Sequence, residues 1–247
     1  MKFLNFPIIR QKGGLGNQIY TLLAARYIYE KFERKVYIDN TTSFLSDKIY
    51  RRKSHFVNKD LITNSFLNPL LAIVIRFFYK LKNKNYKSKN FEINYLPTEK
   101  FFHQSGIFYV DGYFHNNVEL FQISRRFFQI LYISILSKCS DQKLTRQIDI
   151  SIENTAFIHI RDYSLVNIPI DNLNYEYYIN GINYLKNKKI NKFVLISARK
   201  SYLTKSIANY LKDRNINFIS RINENVYDDF ILMTKAKFLI IANSSLH

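Results

Sequence analysis

Apolar residues run unbroken through Phe193-Val194-Leu195-Ile196 and Phe238-Leu239-Ile240-Ile241-Ala242, and nearly so through Thr155-Ala156-Phe157-Ile158-His159-Ile160-Arg161. Short apolar runs bounded by polar residues are the pattern of strands buried on both faces. Residues 175–185, 201–212 and 226–235 instead carry their apolar side chains at helical spacing. With a fourth strand at 216–219, the second half of the chain predicts alternating strands and helices, hence a parallel sheet covered on both sides. The first half opens in the same way. A strand at 6–11, a glycine turn at 13–18, a helix at 19–32 and a strand at 35–39 make a β-α-β unit of Rossmann type. Between 40 and 150 the pattern is less regular. Residues 108–114 read as a strand leaving into a turn, and 118–137 as a helix with Leu120, Phe121, Ile123, Phe127, Phe128 and Leu131 at helical spacing. The polar stretch 140–155 reads as a link. The expected architecture is α/β, with a Rossmann-like domain over 1–150 and a second over 151–247.

Composition narrows the function classes. Of the 247 residues, 47% are apolar and 16% aromatic, too many for a disordered chain. A single cysteine, Cys139, excludes a disulfide framework and a Cys-rich zinc site, and its apolar surroundings favour a passive role. The formal net charge of +18 has three possible sources: an amino-acid usage rich in Lys, Asn, Ile, Tyr and Phe, an anionic membrane surface, or nucleic acid. No nucleic-acid-binding module is visible, so nucleic acid is not an expected partner. Residues 1–10 are too short and broken for a signal peptide and read as a first strand. The apolar stretch 66–79 contains Pro69 and Arg76 and is too short to span a bilayer. Lys80, Lys82, Lys84, Lys87 and Lys89 follow it. It reads either as a helix lying on an anionic membrane surface or as a buried helix before a solvated loop.

Ligands of open parallel sheets bind beyond the carboxyl ends of the strands. That rule selects four places. After the first strand stands Gly13-Gly14-Leu15-Gly16-Asn17-Gln18: glycines allow close backbone approach, the helix that follows offers free N–H groups, and two amides can hydrogen-bond sugar hydroxyls. The string also suits a dinucleotide, with Asp39 placed for a ribose, although Ile19 stands where a third fingerprint glycine would be. At the second place, His159-Ile160-Arg161-Asp162-Tyr163, alternation puts His159 and Arg161 on one face, and a guanidinium at a strand end can clamp a pyrophosphate. The third place, after Ile196, is followed by Asp228 and Asp229 at a helix start, where acids are favoured by the helix dipole. The fourth is Asn243-Ser244-Ser245, suited to capping a helix and holding a phosphate.

Taken together, these strings resemble the α-1,2-fucosyltransferases of glycosyltransferase family 11. Gly13-Gly14-Leu15-Gly16-Asn17-Gln18 is similar to the family's N-terminal signature, and Asp111-Gly112-Tyr113-Phe114 to its mid-chain segment. Asp228-Asp229-Phe230, Leu232-Met233 and Ile240-Ile241-Ala242-Asn243-Ser244-Ser245 are similar to its C-terminal block. The resemblance implies a GT-B-like fold of two Rossmann domains facing a cleft, a GDP-fucose donor, and inverting transfer to the 2-hydroxyl of a galactose-like acceptor in a surface glycan. It implies no metal or cofactor. It implies that His159, Arg161, Asp162, Asn243, Ser244 and Ser245 hold the donor, and that Gly13, Gly14, Gly16, Asn17 and Gln18 shape the acceptor side. It also implies a cytoplasmic enzyme, peripheral at the inner membrane face. The general base is open among Asp39, Asp111 and Asp162.

The chain departs from the family pattern in three respects. The family's H-x-R-R-x-D-Y is here His159-Ile160-Arg161-Asp162-Tyr163, two residues shorter and with one Arg instead of two. Ser197-Ala198-Arg199 stands where the family carries acids. The family continues beyond Asn-Ser-Ser into an aromatic-rich segment and a closing helix, where this sequence has Leu246-His247. Two other readings therefore stand beside an active transferase: an inactive truncated remnant, and a nicotinamide-dependent oxidoreductase using Gly14, Gly16 and Asp39.

Overall fold

The unbroken apolar runs are strands because a central strand of a parallel sheet is covered on both faces and has no polar side to show. In the computed structural model, which describes residues 5–11, 13–40, 56, 69–83, 106–110, 112, 114, 117–139, 154–162, 173–222 and 225–242, they build two parallel sheets. The chain divides into two compact units, Met1–Tyr132 and Ile133–His247. The division falls ahead of the polar stretch that marks the link in the sequence.

The first unit holds β1 (Asn5–Arg10), α1 (Leu15–Phe32), β2 (Tyr37–Asp39), α2 (Pro69–Asn83) and β3 (Gly106–Val110). A 3-10 turn (Val118–Gln122) and α3 (Arg125–Leu136) follow, the last turn of α3 crossing into the second unit. Its sheet runs β2-β1-β3, all parallel. The glycine block differs from the expected six-residue turn. Gly13, at φ +78°, and the extended Gly14 make the whole turn, and α1 begins at Leu15, four residues early. A side chain on Gly13 would collide with Asn17, so the glycine is required twice over, by conformation and by space. The expected helix 118–137 is also broken. Ser124, just ahead of α3, gives both its N–H and its hydroxyl to the Glu30 carboxylate of α1, and the chain turns there.

The second unit alternates as the sequence predicts: β4 (Thr155–Ile160), α4 (Tyr175–Asn187), β5 (Lys192–Ser197), α5 (Tyr202–Asp213), β6 (Asn217–Ile222), α6 (Val226–Thr234) and β7 (Phe238–Ile240). The strand order is β6-β5-β4-β7, every pair parallel. Alternation along the strands sorts the core. Ala156, Ile158, Phe193, Leu195 and Ile240 pack under α4 and α5 through Tyr178, Ile182, Ile207 and Leu211. Phe157, Val194 and Ile196 pack on the other face under Leu232 and Met233 of α6. Gly181 permits the close approach of α4 to β7, since a Cβ there would lie 2.9 Å from Ile240 Cδ1. Side chains cap all three helices: Asn174 accepts from the Tyr177 N–H at 2.9 Å, Ser201 from Thr204 at 3.2 Å and Asn225 from Tyr227 at 2.9 Å. Each such cap contributes about 1 kcal/mol. Because the helices run antiparallel to the strands, all three caps lie at the carboxyl edge of the sheet.

Candidate functional site

The order β6-β5-β4-β7 contains one reversal. From β4 the sheet grows through β5 to β6, and the chain then returns to place β7 on the other side of β4. A crevice opens at such a point, beyond the carboxyl ends of the two diverging strands, and ligands of doubly wound sheets bind there. The residues that stand at that point of this sheet are Arg161 and Asp162, directly after β4, and Ile241 and Ala242, directly after β7. The place selected after β4 therefore stands at the reversal. Both Arg161 and Asp162 are partly exposed. Tyr177, in the first turn of α4, donates its hydroxyl to the Ile241 carbonyl at 3.0 Å and fixes the direction in which the chain leaves β7. Asn243, Ser244, Ser245 and Tyr163 lie outside the described residues, as does Asp111.

The turn after β5 is basic. Ile160 is level with Ser197, and Ser197 with Ile222, so the segments after β4 and β5 leave the sheet side by side, about 4.8 Å apart. Exposed Arg199 and Lys200 follow β5, on the segment that leaves the sheet beside the one that Arg161 begins. Their turn is fixed internally: Ser197 donates its hydroxyl to the Arg199 carbonyl at 2.8 Å, and Thr204 reaches Ser197 Oγ at 3.4 Å. This turn thus carries two cations on a hydrogen-bonded frame.

His159 is buried, on the same face as Phe157 and the α6 cluster, one residue short of the edge. On that face Ile196 stands level with both His159 and Arg221 of β6. Arg221 Nε donates to Asp229 Oδ1 of α6 at 3.2 Å, with the two side chains only 11% and 7% exposed. Asp228 is buried as well and faces Cys139. Burial, a hydrogen bond to Asp228 and the charge of that carboxylate push the Cys139 thiol up to about 11. The two acids at the start of α6 therefore hold an arginine and a thiol inside the second unit, beyond any effect on the helix dipole. The sequence does not disclose the Arg221–Asp229 pair, although an Arg near a strand end ahead of two helix-start acids is a usable signal for it.

In the first unit the expected acceptor-side residues divide. Gln18 is fully buried, and its Nε2 donates to the Gly13 carbonyl at 2.9 Å, tying the turn to the helix. Gly16 is buried inside α1. Gly13, Gly14 and Asn17 remain partly exposed at the helix start. Asp39 is fully buried and accepts the Tyr109 hydroxyl of β3 across β1, a position without access for a ribose. Among the described residues no group of three or more His, Cys, Asp or Glu is arranged to hold a metal.

No family model matches the sequence, and comparison with curated proteins gives no match. Solved structures do match. The fucosyltransferase NodZ from Bradyrhizobium aligns with 98% of this chain and 90% of its own at 10% identity and TM-score 0.52. NodZ described as an α-1,6-fucosyltransferase soaked with GDP-fucose gives 11% identity and TM-score 0.51, again over 98% and 90%. A mutant of Arabidopsis thaliana FUT1 in complex with GDP gives 13% and 0.51, over 98% of this chain and 67% of that one. At these identities the likeness is one of fold: the chain has an α/β, GT-B-like fold, that of fucosyltransferase structures.

Proposed function

We propose that this chain is a glycosyltransferase that moves L-fucose from GDP-fucose to the 2-hydroxyl of a galactose-like acceptor in a surface glycan, as a divergent member of the α-1,2-fucosyltransferases. The observation that carries the reading is the meeting of Arg161 with the β4/β7 reversal of the second sheet, in a fold otherwise seen in proteins crystallised with GDP and GDP-fucose. In this reading residues 151–247 hold the donor, and residues 1–150, through Gly13, Gly14 and Asn17, shape the acceptor side.

The chemistry follows from the charge that develops. The acceptor oxygen attacks the anomeric carbon of fucose from the face opposite the nucleotide, and a carboxylate takes its proton. The bond from that carbon to the β-phosphate oxygen breaks, and the configuration inverts. GDP departs with an additional negative charge, which donors already in place stabilise without reorganisation. Arg161 is suited to a bidentate clamp on the pyrophosphate. The second arginine of the family pattern is missing from this loop, and Arg199 with Lys200 on the neighbouring turn offers the replacement charge. Asn243, Ser244 and Ser245, which follow β7 in the sequence from the third position on, complete the donor side in this proposal. No step calls for a metal. Of the candidate bases, Asp162 stands at the crevice, whereas Asp39 is enclosed beneath Tyr109.

The test is transfer of labelled fucose from GDP-fucose to glycans ending in galactose, with linkage analysis of the product. A 2-substituted galactose is the expected result. A 6-substituted sugar would keep the donor and overturn the linkage. Transfer from UDP-sugars in place of GDP-fucose would overturn the donor assignment.

A further inference from the structure

α2 is amphipathic in an inverted sense. Its inner side is small: Ala72 is fully buried and Ile75 packs with Ile8, Tyr37 and Tyr109 on the first sheet. Its outer side is large and apolar. Leu70, Leu71, Ile73, Val74, Phe77 and Phe78 are between 41% and 75% exposed. Positions 70, 73, 74, 77 and 78 follow the i, i+3, i+4, i+7, i+8 rule, so these side chains form one continuous stripe. Scattered exposed apolar residues are ordinary, whereas a contiguous stripe of six, two of them Phe, marks a surface meant to be covered.

The charge around the stripe selects what covers it. From Asp60 to Glu92 the chain carries Arg76, Lys80, Lys82, Lys84, Lys87 and Lys89 and no carboxylate between them. All six cations fall within the segment that carries the stripe or directly follows it. A second copy of this +18 chain would bring like charges together, and nucleic acid has no use for six aliphatic and phenyl groups. An exposed apolar stripe in a segment of uniformly positive charge fits the boundary between headgroups and acyl chains of an anionic bilayer. Among the described residues no helix is long and apolar enough to cross a membrane, so the contact is with the surface.

We infer that the outer face of α2 docks this protein on an anionic lipid bilayer, with the phenyl and aliphatic groups entering the interface and the lysines meeting lipid phosphates. The inference does not depend on the proposed donor or linkage. It is tested by flotation of the full chain with vesicles of phosphatidylcholine alone and with added phosphatidylglycerol. The expected result is flotation with the anionic vesicles only, reduced about tenfold or more in Phe77→Ser/Phe78→Ser and in Lys80→Ser/Lys82→Ser, with the unfolding midpoint unchanged in both. The chain has no tryptophan, so Phe77→Trp gives a single reporter whose emission should shift to the blue on anionic vesicles. Absence of flotation, or of the shift, would overturn the inference. So would a Phe77→Ser/Phe78→Ser protein that melts well below the parent, because the stripe would then be covered by the chain itself. A dimer lost in that variant would instead assign the face to a second copy.

Discussion

Replacing Asp229 with alanine tests the internal wiring of the second unit. Arg221 and Asp229 meet at 3.2 Å, with 11% and 7% of their side chains exposed, between edge strand β6 and the first turn of α6. Removing one member of a buried pair costs about 3–5 kcal/mol, because the remaining charge stays out of water without compensation. β6 is partly exposed along its length, so Arg221 can recover some hydration, and the lower end, about 3 kcal/mol, is the expected loss. That is a large share of the roughly 5–15 kcal/mol that holds a domain folded. The assay is urea unfolding followed by circular dichroism for Asp229→Ala, Arg221→Ala and the double variant. The double variant should be no worse than Asp229→Ala alone, with a coupling energy of about 1–3 kcal/mol. A loss under about 1 kcal/mol for Asp229→Ala, or strictly additive single variants, would refute the reasoning.

Gly13→Ala should destabilise by about 2 kcal/mol or more, since φ is +78° and the new Cβ would lie 2.9 Å from Asn17 Cβ; a shift in the unfolding midpoint reads it. Glu30 is held below the ordinary carboxylate range: burial pulls it upward, but the Ser124 hydroxyl and Arg26 outweigh that. Its contribution is therefore present above the unfolded value and lost as pH falls through the lower folded value, and Glu30→Gln should flatten the acid limb of the stability curve. The Cys139 thiol, raised to about 11 by burial and Asp228, should alkylate slowly at neutral pH, and Asp228→Asn should speed it. Between its unfolded and folded values the folded state keeps a proton that the unfolded chain loses, so this thiol lowers stability as pH rises from about 9 to 11. Arg199→Ala should raise KM for GDP-fucose about tenfold or more with a smaller change in kcat, whereas Lys205→Ala, farther along α5, should leave both unchanged.

The second sheet was legible because strands covered on both faces read as unbroken runs, and because the segments between them carry their apolar residues at helical spacing. α1 was misjudged at its start: Gly16, Asn17 and Gln18 have loop chemistry, but the turn needs only Gly13 and Gly14, and Gln18 closes it from inside the helix. The break before α3 is invisible in the apolar spacing of 118–137, since it depends on Glu30, 94 positions from Ser124. Environment was harder to read than position. Asp39 does end a strand, but Tyr109, 70 positions on, encloses it. The Arg221–Asp229 pair had a local hint, an Arg near a strand end ahead of two helix-start acids, but naming it required knowing that α6 folds back on β6. Arg161 was legible because a cation just after an apolar run is a local signal, and the strand order then placed it at the reversal.

The central claim is a guanine-nucleotide donor site at the end of β4, and calorimetric titration of the purified chain with GDP, GDP-fucose and UDP-sugars addresses it most directly. Micromolar, guanine-specific binding that is abolished in Arg161→Ala and retained in Asp39→Asn is the expected result. No binding of GDP, equal binding of UDP, or an Arg161→Ala protein that binds GDP as the parent does would contradict it.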